Sequence, residues 1–174
     1  MTDPLPSLPV LTTAEVRLIT LAAAGASHEQ IAADPETRLQ TSDVRGAIEA
    51  VLVTTGTRTV LQLAGWATAR QLVTRPVHPS GALVTTPKLP PRLLQILRGW
   101  AGGRSTPELT DGFGIAPTTM RTYTKDLLSR LDADSPPQAV VVGVLARLVL
   151  LHDIDPAWPP EPLTRTADVR STAR

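Results

Sequence analysis

Apolar residues recur at three- and four-residue spacing along this chain, and a capping residue, glycine or proline stands at nearly every segment edge. Leu11–Gly25 opens on a threonine cap, runs with apolar residues on one helical face and stops at glycine. Ser27–Ala33 starts a second, shorter helix, with Gln30 placed to complete a capping box on Ser27. Asp34-Pro35-Glu36 reads as a turn or a new cap. Thr41–Thr55 is a third helix whose Val44, Ala47, Ile48, Val51 and Leu52 share a face, and after Gly56 a fourth covers Thr59–Val73. Residues 74–88 hold three prolines and a glycine with few apolar anchors, the mark of a linker.

The segment Ser105–Leu131 predicts two helices joined by a tight turn. Ser105 caps the first with Glu108 three residues on, and Gly112-Phe113-Gly114 ends it. Ile115 packs inward, and Pro117 suits the first position of the next helix. There Met120, Tyr123, Leu127, Leu128 and Leu131 form an apolar face, opposite Thr118, Arg121, Thr122, Lys125 and Ser129. Short polar and cationic side chains on the open face of a packed helix suit a DNA major groove, although a solvated amphipathic hairpin carries the same pattern.

The two halves repeat. Leu11 and Leu89, Gly25 and Gly103, Ser27 and Ser105, Ile31 and Leu109, and Gly65 and Gly143 are each 78 residues apart. Between them the offset slips by two, pairing Val44 with Met120 and Val51 with Leu127, and this pattern predicts a longer turn before the third helix of the first unit and a shorter one after it. The expected organisation is all-α: a flexible N-terminus (1–10), a first four-helix unit (11–73), the linker, a second unit (89–151) ending in a helix over Gln138–Leu151, and a proline-rich, disordered tail (152–174).

Composition narrows the function classes. The absence of cysteine excludes a disulfide scaffold or thiolate site, and His28, His78 and His152 lack ligand spacing, so no metal or other cofactor is expected. The N-terminus carries Asp3 and three prolines in place of a signal peptide, and the longest apolar run, Ala139–Leu151, is broken by Arg147 and too short to span a bilayer. A cytoplasmic protein without a membrane partner follows as the expectation. No glycine-rich phosphate loop, paired-carboxylate cleft or nucleophile–base pair points to an enzyme. Charge is uneven: residues 11–73 carry five arginines against six carboxylates, a net of −1, while 88–131 carry seven cations against three carboxylates, a net of +4. Phosphate attraction scales with such cations, so the second unit is the stronger candidate for nucleic acid.

Taken together, Leu89, Gly103, Ser105, Glu108, Leu109, Gly114, Ile115, Thr119, Met120 and either Arg130 or its neighbour Leu131 resemble the four-helix DNA-binding domain of LuxR-type transcriptional regulators, and LTTAE…AAGAS…IA over Leu11–Ala32 resembles it a second time. The resemblance implies that the third helix of each unit enters the major groove. It puts the base-reading positions on Arg121, Thr122 and Lys125 and a phosphate contact on Thr119, with Thr118, Ser105 and Arg104 beside them. Tyr123 stands where the family usually has histidine. In the first unit the equivalent positions are Arg45, Gly46 and Glu49, and Glu49 lies four residues after Arg45, where it can neutralise it. Double-stranded DNA is the expected partner. The alternative is a protein-interaction adaptor in which one or both reading faces bind a protein.

Gly65 and Gly143 fall mid-helix, where glycine costs about 1 kcal/mol relative to alanine. Close helix approach offsets such a cost, and the resemblance assigns dimer contacts to the fourth helix. With Val140 and Val144, these glycines mark an expected contact between the two fourth helices, making the chain a pseudo-twofold monomer; relief of crowding within each unit is the competing explanation, and a homodimer is the other assembly considered.

Overall fold

The computed structural model describes Leu5, residues 7–73 and residues 87–162; most of the expected linker and residues 163–174 lie outside the described residues. Among the described residues the architecture is all-helical, apart from one isolated bridge between Leu150 and Pro162. The helices are α1 (Thr13–Ala23), α2 (His28–Ala33), α3 (Thr41–Thr55), α4 (Val60–Ala69), α5 (Pro91–Ala101), α6 (Thr106–Phe113), α7 (Pro117–Leu131), α8 (Pro136–Leu145) and the single turn α9 (Leu151–Ile154). No described helix is long and apolar enough to cross a membrane.

Local chemistry sets most of the boundaries. Thr12, Ser27 and Ser105 each form a reciprocal capping box, with Glu15, Gln30 and Glu108. At α6 the Glu108 amide donates to Ser105 Oγ at 3.3 Å, and the Ser105 amide donates to the Glu108 carboxylate at 2.6 Å. Gly25 and Gly103 close α1 and α5 at φ 77° and 82°, a conformation that L side chains adopt only with strain. Gly112 does not break α6. It stays inside the helix, with the Arg104 guanidinium 2.8 Å from where a Cβ would stand, and Gly114 makes the stop at φ 61°.

The helices come in two successive sets whose hydrogen bonds repeat, but the register between the sets differs from the sequence expectation. α3 and α7 start 76 residues apart, and so do α4 and α8. Gly56 and Asp132 are left-handed C-caps of α3 and α7, and Gln71 and Arg147 are left-handed after α4 and α8. Leu72 and Val73 both donate to Ala67 O, as Leu148 and Val149 do to Gly143 O. Gly143 is therefore the counterpart of Ala67, not of Gly65. The two extra residues all sit in the α2–α3 region, and no shorter turn follows. Its longer connection is pinned: Arg17 donates to Asp34 Oδ2 from Nε at 3.0 Å and from a terminal nitrogen at 2.6 Å, and buried Thr37 donates to Ile31 O at 2.9 Å.

One continuous apolar core joins both sets. α4 and α8 pack against each other more extensively than any other pair, as expected for two helices that are apolar nearly all round. α1 also touches α8, and α5 touches α4, so each fourth helix contacts the first helix of the other set. The polar links are similar but not equivalent, one reaching the end of α1 and the other reaching α9. Gln138 Nε2 donates to Ala24 O at 2.8 Å, and a Cβ on Gly25 would strike Ser135; Gln62 Nε2 donates to Ile154 O at 2.8 Å, and a Cβ on Gly103 would strike Gln62.

Two terminal segments depart from expectation. α8 ends at Leu145, not Leu151, because Arg147 takes a left-handed conformation at φ 62°. The following residues fold back in place of a disordered tail. Leu151 N donates to Glu161 O at 2.8 Å, and His152 N donates to Pro159 O at 3.1 Å. Ile154 and Trp158 are buried, with the Arg70 guanidinium 5.1 Å from the Trp158 ring centroid. At the other end Leu5 packs on the core, although Leu8 and Val10 are exposed.

Candidate nucleic-acid interface

The turn from α6 to α7 aims α7 outward. Ile115 N donates to Thr110 O at 3.2 Å after the left-handed Gly114, Ala116 is extended, and Pro117 opens α7 with φ already fixed. Met120, Leu127 and Leu131 are buried and hold the helix against α5, α6 and α8. Tyr123 and Leu128 are half-buried beside them.

The opposite face is open. Thr118, Arg121, Thr122, Lys125 and Ser129 are all exposed, and Thr119 is half-buried at the edge. Thr122 spends its hydroxyl proton on Thr118 O at 3.2 Å, which leaves its methyl and an oxygen lone pair outward. Among the described residues Arg121 and Lys125 have no ion-pair partner, whereas Arg130 at the end of α7 is held by Asp126 at 2.9 Å. Ser105 is engaged as the α6 cap. Its amide, more than its hydroxyl, lowers the Glu108 carboxyl below its ordinary range, with Arg58 of the other set adding a smaller effect from 3.2 Å. Arg104 is exposed and lies over Gly112.

The counterpart face on α3 is electrically closed. Arg45 donates to Glu49 at 3.0 Å, so its guanidinium already has an anion. Gly46 has open space around it, and Val53 is 83% exposed. α3 and α7 do not touch, so Arg45 belongs to a separate surface from Arg121 and Lys125.

At the expected fourth-helix contact, the two glycines differ. A Cβ on Gly65 would stand 3.2 Å from Val140 Cγ1, which is an α4–α8 approach. A Cβ on Gly143 would instead meet Leu97 Cδ2 of α5 at 2.8 Å and Val149 at 3.1 Å. Gly143 thus relieves crowding within its own set, and Val144 is buried in the same core.

A feature absent from the sequence reading lies beside Arg121 and Lys125. Both line a groove of about 590 Å³ between α6 and α7, with Pro107, Pro117 and Pro136 in its walls and Trp100, Met120 and Leu128 beneath. Trp100 Nε1 donates to Thr106 Oγ1 at 3.1 Å, which ties the floor to the start of α6. The one sequence signal for it is the proline in the first turn of α6, α7 and α8 alike. No protein-family model matches this chain, and no curated protein or solved structure does so either.

Proposed function

We propose that this chain is a DNA-binding transcriptional regulator, built from two tandem LuxR-type units packed as an intramolecular pseudo-dimer, that reads the major groove mainly with α7. The observation that carries this reading is the exposed α7 face, where Arg121 and Lys125 have no carboxylate partner among the described residues while Met120 and Leu127 anchor the helix from behind. An unpaired guanidinium on such a face can bind guanine bidentately, and lysine supplies a longer, less directional donor. The pseudo-dimer is supported by the reciprocal contacts of α4 with α5 and of α8 with α1, and by the Gly65–Val140 approach.

A second reading has its own support. The α3 face pairs Arg45 with Glu49 and exposes Val53, a surface suited to a protein partner more than to phosphates. In this form the first unit is an adaptor and only the second meets DNA. Binding to genomic fragments, titrated with salt, tests the regulator reading: a sequence-selective complex that weakens steeply with salt supports it, and binding that is absent at low salt rejects it.

A further inference from the structure

We infer that the groove between α6 and α7 is a binding site for a small organic monoanion with a planar apolar body, and that this ligand competes with DNA for Arg121 and Lys125. The competition rests on the proposed regulator reading; the site itself does not.

A groove of about 590 Å³ falls within the range of small-molecule sites, and its form matches theirs, mostly apolar with a few polar groups. Pro107, Pro117 and Pro136 give it walls with no rotamer freedom to lose, so little ordering opposes a flat ligand. Met120 and Trp100 close the floor, and the indole N–H is already satisfied by Thr106, leaving no buried donor that an apolar body would strand. Thr106 accepts that bond, so its own hydroxyl proton remains available to a ligand oxygen.

Charge decides the ligand class. Arg121 and Lys125 line the groove without ion-pair partners among the described residues, and Asp111 lines it too. The net is one positive charge, which suits a single carboxylate. The first set does not repeat this chemistry: Ala22 takes the place of Trp100, Glu29 of Pro107 and Glu49 of Lys125. A ligand seated here occupies the two cations that α7 would present to DNA and offsets one of their two charges.

The test uses 2-naphthoate as probe and 2-naphthol as its uncharged control, followed by heteronuclear NMR on the full chain. The expected result is saturable binding of 2-naphthoate, with shifts concentrated in α6, α7 and the Trp100 indole, and at least tenfold weaker binding of 2-naphthol. Thr124→Phe, which fills the groove, should abolish it. Lys125→Glu, a change at an exposed side chain, should weaken it at least tenfold with an unchanged helical spectrum. Binding that is non-saturable, or that survives both variants, overturns the site. Saturable binding lost in both variants upholds the site whether or not the chain binds DNA. If a DNA complex forms and holds 2-naphthoate without mutual loss of affinity, the competition is overturned.

Discussion

Gly65 on α4 faces Val140 on α8 so closely that a methyl group at Gly65 would stand 3.2 Å from Val140 Cγ1. The approach lets two apolar helices share one core at a position where glycine costs the helix about 1 kcal/mol relative to alanine. Gly65→Leu should therefore destabilise the chain by about 1–3 kcal/mol through overpacking. Gly143→Leu should do the same for a different reason, its collision with Leu97. A lower urea midpoint for both variants is expected; an unchanged midpoint for Gly65→Leu would show that α4 and α8 do not pack this way.

Trp158 anchors the returning C-terminal segment and is 4% exposed. Trp158→Ala should cost about 3–5 kcal/mol, the range for a buried tryptophan, and should loosen residues 151–162 first. Amide exchange gives the readout: slow exchange of Leu151 and His152, which donate to Glu161 O and Pro159 O, should be lost. A tail that merely trails in solvent would show neither effect.

Capping and acid sensitivity are linked. Ser105→Ala removes one half of a capping box and should cost about 1 kcal/mol. Glu15, Glu108 and Asp34 have pKa values below their ordinary 4.5, 4.5 and 3.8, held down chiefly by the Thr12 amide, the Ser105 amide and the Arg17 guanidinium respectively. A depressed folded pKa contributes stability above the unfolded value and loses it as pH falls through the folded one. The urea midpoint should accordingly drop as pH is lowered below about 4.5, and Arg17→Gln should make the drop shallower by removing the main cause acting on Asp34. An equally steep drop in Arg17→Gln would refute that assignment.

Much of the helical order is legible in the sequence, for local reasons. The limits of α3 and α7 follow from residues that act on their own backbone: Gly56 and Pro117 set ends whatever packs above them. The end of α8 is not legible in this way. Leu145, Leu148 and Val149 continue a helical spacing, but burial of Val149, Ile154 and Trp158 in the shared core turns the chain at Arg147 instead. The Gly65–Gly143 pairing misleads because a glycine at a constant offset looks structural, whereas the hydrogen-bond register aligns Gly143 with Ala67. The groove beside Arg121 depends on three helix starts meeting in space, and the sequence records only their prolines.

On the first set, Glu49→Ala frees Arg45 and removes a carboxylate from the α3 face. Specific DNA binding should stay intact or tighten, since repulsion from phosphate is relieved. If instead a partner protein is lost from the chain while DNA affinity is unmoved, the α3 face is the adaptor surface of the second reading.

The central claim is that α7 reads DNA, and the direct measurement is the affinity of Arg121→Ala and Lys125→Ala for a selected DNA site at two salt concentrations. Arg121→Ala should weaken binding by about 1–3 kcal/mol and relax preference at one base pair. Lys125→Ala should weaken it more evenly across sequences, with a salt slope shallower by about 0.9 if the lysine neutralises a phosphate. A sequence-specific complex that Arg121→Ala leaves unchanged in affinity and preference would contradict the account.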